Sequence, residues 1–230
     1  MSQSSGTNDE LADRLEAIRA GVADAAREAG RHPGEITTIV VTKFHPESLV
    51  RELHALGVRD FGESRHQEAR LKAAGVADLD LSWHFVGQLQ TKKARQAREY
   101  ASIIHSVDRA GLVDALGSVE STVDCFIQLN LSDDPGRGGV APAALEQLVE
   151  KVQATDGLRL LGVMAVAPLG EEPRRAFSRV RSASDRVRSL VPDATAISAG
   201  MSADYRPAIL EGATHLRIGT AITGIRPVAG

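Results

Sequence analysis

Between Ile36 and Gly219 the chain alternates, eight times over, a short apolar segment with a connection long enough for a helix. This repeat restricts the fold more than any other feature, because strand, helix and strand in series place neighbouring strands parallel and bury both faces of the sheet. The segments run roughly from Ile36 to Thr42 and then through "RDFG", "WHFVG", "SIIHSV", "DCFIQLNL", "LRLLGVMAV", "ATAIS" and "THLRIG". Eight in a row predict closure into one (β/α)8 TIM barrel over residues 1–230, with no linker or composition shift to split it. An open doubly wound sheet is the alternative; it is usually reached with fewer strands and a glycine-rich first turn, which is absent. Ahead of the repeat, Leu11, Leu15, Ile18, Val22 and Ala26 recur at helical spacing, with a capping-box pattern Thr7-x-x-Glu10 before them and Gly30 after them. They predict an extra N-terminal helix. The polar first seven residues are expected to be disordered.

Composition removes several classes of function. A formal charge of -3, with basic residues dispersed and no aromatic pairs to stack bases, argues against nucleic acid as a partner. Cys125 is the only cysteine, which excludes an internal disulfide and suits a reducing cytoplasm. No signal-peptide core or long apolar span appears, so the expected protein is cytoplasmic, without a membrane partner. None of the seven histidines has a zinc-like spacing, no phosphate loop or dinucleotide fingerprint is present, and no metal is expected.

In a parallel barrel the active site lies at the carboxyl ends of the strands. Lys43 falls at the end of the first strand, where two-residue alternation puts it on the face of Ile39 and Val41. A lysine desolvated there tends to lose its proton, and the neutral amine attacks carbonyls to form a Schiff base. The competing reading is a lysine whose stem lies on apolar surface while its head reaches water. The same end of the barrel collects "FGESRHQE", which contains Glu63 and Ser64, and "HFVGQLQTKK". It also collects Ser198, Gly200, Met201 and Ser202 after strand seven, and Gly219 and Thr220 after strand eight. Hydroxyls and close-approach glycines at these two loops are the parts of a phosphate cradle. Arg217 shares a strand face with Gly219 and would meet either a structural acid or a ligand acceptor such as a ring nitrogen. An imine-forming lysine, a phosphate cradle and a facing arginine suit a phosphorylated aldehyde, and pyridoxal 5'-phosphate satisfies all three. His84 and His105, each among apolar strand neighbours, are expected to be satisfied core histidines.

The segments "VTKFHP", "FGESRHQEA", "WHFVGQLQTKK", "QLNLSDDPGRGGV", "GVMAVAP", "ISAGMSADY" and "LRIGTAITG" resemble the pyridoxal phosphate homeostasis proteins, the YggS or PROSC family. The resemblance implies a barrel like the N-terminal domain of alanine racemase, with the cofactor held as an imine on Lys43. It also implies that Ser198, Gly200, Met201, Ser202, Gly219 and Thr220 surround the phosphate while Arg217 approaches the pyridine nitrogen. Ser64 stands where the family usually has asparagine and offers a shorter side chain to the ligand; Thr42, Ala199 and Thr223 are milder departures.

The implied function is intracellular homeostasis of pyridoxal phosphate and its delivery to apo-enzymes, without efficient turnover. The alternative is a cofactor-dependent amino-acid racemase or lyase. Racemisation needs a base on each face of the substrate carbon, and Lys43 supplies one. In alanine racemases the opposing tyrosine comes from a second domain, whereas this sequence ends soon after strand eight, and neither Tyr100 nor Tyr205 is an obvious substitute. An aldolase-like barrel acting on sugar phosphates would need an acid-base partner that the sequence does not display. A monomer is expected.

Overall fold

The computed structural model describes residues 4–132, 134 and 136–225. Eight parallel strands close in sequence order into a barrel: β1 (Thr37–Val41), β2 (Asp60–Glu63), β3 (Ser82–Phe85), β4 (Ile103–Val107), β5 (Val123–Gln128), β6 (Leu158–Met164), β7 (Ala196–Ser198) and β8 (His215–Ile218). The ring closes where β8 pairs with β1, Thr37 opposite His215 and Val40 opposite Ile218. Helices α1 (Ser4–Glu28), α2 (Glu47–Ala55), α3 (His66–Gly75), α4 (Ala94–Arg98), α5 (Ala110–Leu116), α6 (Leu145–Gln153), α7 (Pro173–Leu190), α8 (Tyr205–Leu210) and α9 (Thr220–Thr223) complete the chain. The expected single barrel with an added N-terminal helix is the fold observed.

Alternation along the strands separates two interiors. Val40, Phe61, Phe85, Ile104, Cys125, Ile127, Val163 and Leu216 face outward and are buried beneath the helices. Apolar positions such as Val50 and Leu53 on α2, or Leu145, Leu148, Val149 and Val152 on α6, complete this layer at helical spacing. Each such side chain withdrawn from water contributes about 1.5–3 kcal/mol before the entropy of ordering is subtracted. The inside of the barrel is more polar. The His105 ring stacks on Phe126 at a centroid distance of 4.5 Å, and His215 meets Phe126 edge-on at 5.1 Å. Side chains fill the barrel, so it is a packed core and not a channel.

Helix α1 buries Leu11, Leu15, Ile18, Val22 and Ala26, as its spacing requires, and packs on α8 and α9. Tyr205 reaches back from α8 so closely that its hydroxyl would collide with any Cβ at position 21, which makes Gly21 the necessary residue there. The helix starts at Ser4, so Thr7 lies within it and does not cap it. Residues 1–3 lie outside the described part, as do Asp133 and Pro135 of the loop after β5.

Candidate functional site

Strand β1 ends at Val41, one residue before the alternation would place Thr42 and two before Lys43. Thr42 N still donates to Gly62 O (3.0 Å), but Lys43 and Phe44 form a turn, and the Lys43 side chain is exposed. The expected burial of Lys43 on the strand face is therefore corrected: Lys43 is exposed on the turn after β1, with Nζ 5.9 Å from the Phe44 ring centroid. That turn is held firmly from below. Thr42 Oγ1 donates to Glu63 Oε1 (2.8 Å), Lys72 Nζ donates to Thr42 O (2.9 Å), and Phe44 N donates to Glu68 Oε1. Lys72 also donates to Glu63 through a short contact and lies 3.5 Å from Glu68. Phe44 adopts φ 69°, a left-handed backbone that costs a residue with a side chain about 1–2 kcal/mol. The carboxylate of Glu68 on its N–H helps to hold it there. Buried Glu63 and Lys72, with the partly exposed Glu68, thus grip the backbone on both sides of Lys43.

Burial raises the Glu63 pKa, against the opposing pull of Lys72. Burial, then the charge of Lys72, lowers that of His45, two residues beyond Lys43. Glu63 Oε2 has no hydrogen-bond partner among the described residues. Lys72 escaped notice in the sequence; its one signal was an inverted pattern, since neighbouring Leu71 is 70% exposed while Lys72 is only 5% exposed.

Gly219 follows β8 beside β1, where a Cβ would meet only Val41, its nearest atom at 3.7 Å. The loops after β7 and β8 are joined by Ala221 N donating to Ser202 Oγ (3.3 Å). Met201 N donates to Asp204 Oδ1, and Gly200 O accepts from Arg217 N at 2.9 Å. Gly200 has φ +94°, and a Cβ there would come within 2.8 Å of the Ala208 Cβ, so only glycine fits between β7 and α8. Met201 and Thr220 are exposed, while Ser202 and Gly219 are partly so. Gly200, Met201, Ser202, Gly219 and Thr220 therefore form one edge of the mouth, across the β8 to β1 seam from Lys43.

Ser198 ends β7. It is fully buried, and its hydroxyl lies against Arg217 Nη1 (2.6 Å) and His105 Nδ1 (2.8 Å), beneath the mouth. Arg217 Nη2 donates to Ala165 O (2.8 Å). Burial lowers the Arg217 pKa to about 10, with Asp204 acting through space in the other direction, and its hydrogen bonds include no carboxylate. Ser64 lies on the loop after β2, half-buried, its backbone packed so tightly on Gly87 that a side chain at 87 would strike it. Tyr100 is turned to His66 Nδ1 (3.3 Å) and Tyr205 to α1, so neither faces Lys43. Burial and the nearby Glu63 raise the Tyr100 pKa, which keeps its phenol protonated. Among the described residues no group of three or more His, Cys, Asp or Glu could hold a metal ion, and no helix is long and apolar enough to cross a membrane.

Residues 14–227 match the family model described as alanine racemase, N-terminal domain. A protein of Mycobacterium tuberculosis named pyridoxal phosphate homeostasis protein is 39% identical, with 94% of this chain and 93% of that one aligned. One of Pseudomonas aeruginosa with the same name is 38% identical over 94% of this chain and 96% of its own length. The solved structure of PipY from Synechococcus elongatus, with PLP bound, superposes with a TM-score of 0.82 at 34% identity, covering 93% of this chain and all (100%) of PipY. The chain belongs to the alanine racemase N-terminal domain family, alongside the proteins named pyridoxal phosphate homeostasis protein.

Proposed function

We propose that the chain binds pyridoxal 5'-phosphate in the barrel mouth as a Schiff base on Lys43 and serves the intracellular homeostasis and delivery of that cofactor. The observation that carries this reading is the exposed amine of Lys43 on the same rim as the Ser202 and Thr220 loops, with the buried guanidinium of Arg217 beneath them. The donor set suits the ligand. Ser202 and Thr220 hydroxyls offer hydrogen bonds to a phosphate, and Gly219 leaves room for close approach. Arg217 can only donate, so a ring nitrogen that it faces must stay unprotonated. When bound, the cofactor supplies a reactive carbonyl and an electron-withdrawing ring; an unprotonated ring nitrogen weakens the second property. Ser64 can reach the ligand only with a hydroxyl, where an asparagine would reach further.

The racemase or lyase alternative requires a second base opposite Lys43, and both tyrosines are committed elsewhere. Two measurements made together separate the readings. Protein loaded with pyridoxal phosphate is expected to reactivate a pyridoxal-phosphate-dependent apo-enzyme. The same protein is expected not to racemise alanine or other common amino acids at enzyme-like rates, on the order of 1–1000 per second. Fast racemisation abolished by Lys43→Ala would replace the carrier reading with the enzyme.

Ser202→Ala and Thr220→Ala are each expected to weaken cofactor binding about tenfold to a hundredfold, since a hydrogen bond to a charged group contributes about 1.5–3 kcal/mol. Both side chains reach solvent, so the melting temperature of the cofactor-free protein should hardly move. Unchanged titration curves for both variants would put the phosphate elsewhere.

A further inference from the structure

The polar interior of the barrel contains a continuous line of hydrogen bonds that retention of a cofactor by Lys43 does not use. Asp60 Oδ1 lies 3.0 Å from His84 Nε2, His84 Nδ1 lies 2.9 Å from His105 Nε2, and His105 Nδ1 lies 2.8 Å from Ser198 Oγ, which Arg217 Nη1 approaches at 2.6 Å. Asp60 begins β2, its side chain 33% exposed at the amino-terminal rim, whereas Arg217 lies beneath the opposite mouth. The line therefore crosses the barrel.

Its two ends dictate the protons between them. A guanidinium only donates and an ionised carboxylate only accepts, while a neutral imidazole has one nitrogen of each kind. Asp60 accepts from His84, so a neutral His84 carries its proton on Nε2 and leaves Nδ1 to accept from His105 Nε2. His105 Nδ1 is then an acceptor, and Ser198, which also accepts from Arg217, gives it the hydroxyl proton. With neutral rings, reversing any one link sets two protons or two lone pairs against each other. For His105 the surroundings favour neutrality: burial, then His84, Arg217 and His215, holds its pKa well below the ordinary value. His215, 6.4 Å from both rings, is itself pushed down to about 4, chiefly by burial. Hydrogen bonds aligned head to tail in this way polarise one another.

We propose that Asp60, on the face of the barrel opposite the cofactor mouth, is a positioning residue for Arg217, acting through the tautomers of His84 and His105 and the rotor of Ser198. The proposal rests on the reading of Arg217 as the group that meets the cofactor's ring nitrogen. Asp60 directs the Ser198 proton to His105, which leaves the hydroxyl lone pairs to Arg217, and Ser198 with Ala165 O fixes the plane in which the guanidinium presents its remaining donors.

The test begins with cofactor-free protein labelled with nitrogen-15 in its histidine rings. Both His84 and His105 are expected to show the neutral tautomer protonated at Nε2. Asp60→Asn keeps an acceptor oxygen and should preserve both signatures. Asp60→Leu removes it and should turn His84 and His105 into mixtures of tautomers. After loading, Asp60→Leu is expected to weaken pyridoxal phosphate binding roughly threefold to tenfold, the change matching one net hydrogen bond, and to shift the visible absorption maximum. Asp60→Asn should restore both. Ser198→Ala cuts the line at its other end and should reproduce the weaker binding and the shifted absorption. A wild-type His105 that is cationic or protonated at Nδ1 overturns the proposal. So does an Asp60→Leu or Ser198→Ala protein with wild-type affinity and absorption, even if its melting temperature falls. A wild-type protein that binds no cofactor would instead sink the functional reading, and the tautomer spectra, recorded without cofactor, keep the two failures distinct.

Discussion

Borohydride treatment of the protein loaded with pyridoxal phosphate is expected to leave a stable adduct on Lys43, and Lys43→Ala should abolish both that adduct and the visible colour. The effect is close to all or none, because a reducible link requires the amine itself. The chain has five lysines, which keeps the assignment short. Lys72 is buried and donates to Glu63 and Thr42, while Lys151 on α6 pairs with Asp114 at 2.5 Å. Lys92 and Lys93 follow β3, away from the seam between β8 and β1. Lys43 is exposed, so its removal should change folding stability by less than about 0.5 kcal/mol. Peptide mapping decides the matter, and an adduct on Lys92 or Lys93 in the wild-type chain would refute the assignment.

A second large effect is expected from Lys72→Ala. Removing one partner of a buried ion pair strands the other charge, at a cost of about 3–5 kcal/mol. Here it also deprives Thr42 O of its donor. The loss should depend on pH in a definite sense. Glu63 already has a raised pKa from burial, and without the ammonium it should rise further. A group whose folded pKa exceeds its unfolded value favours folding while it is protonated in both states, and loses that advantage as pH rises toward the folded value. The deficit relative to wild type should therefore be smallest below about pH 4, the region of an unperturbed glutamate, and grow as pH rises. Denaturant titrations across that range measure it. Combining Lys72→Met with Glu63→Gln should recover much of the loss, since Gln still accepts from Thr42 and no charge is left buried. A single variant with wild-type stability at neutral pH would show that the pair is not buried in solution.

The barrel itself was legible because β-branched runs, helix-length connections and stop signals agree at every level; the strand ends lie within two residues of their expected places, except that β5 stops at Gln128, three residues before Leu131. Lys43 shows where such reading stops. Two-residue alternation holds only while the chain stays in the sheet, and β1 lets go at Val41, so the face assigned to Lys43 by extrapolation does not exist. The left-handed turn at Phe44 depends on a carboxylate 24 residues away, which no local pattern encodes. The interior histidines were rightly taken as satisfied, but their partners come from the register of separate strands. Asp60, His84 and His105 occupy three successive strands, and a sequence does not show that their side chains meet end to end. Ser198 shows the same limit: it is the last residue of β7 and its hydroxyl meets Arg217 and His105, whereas Ser202 has entered the loop.

The seam also governs when the site can exist. Arg14 Nε on α1 donates to Ile222 O, a contact between residues 208 positions apart, and β8 pairs with β1 beside it. Contacts so remote in sequence are slow to form during folding. A chain growing from its N-terminus presents Lys43 early, yet has no facing loops after β7 and β8 until β8 has been made and the ring has shut. A ligand spanning the seam binds the closed ring alone, and at roughly 100 times its Kd adds about 2.7 kcal/mol to the stability of that state. If pyridoxal phosphate is that ligand, as proposed, its presence would favour the closed barrel over chains whose ring has not yet shut.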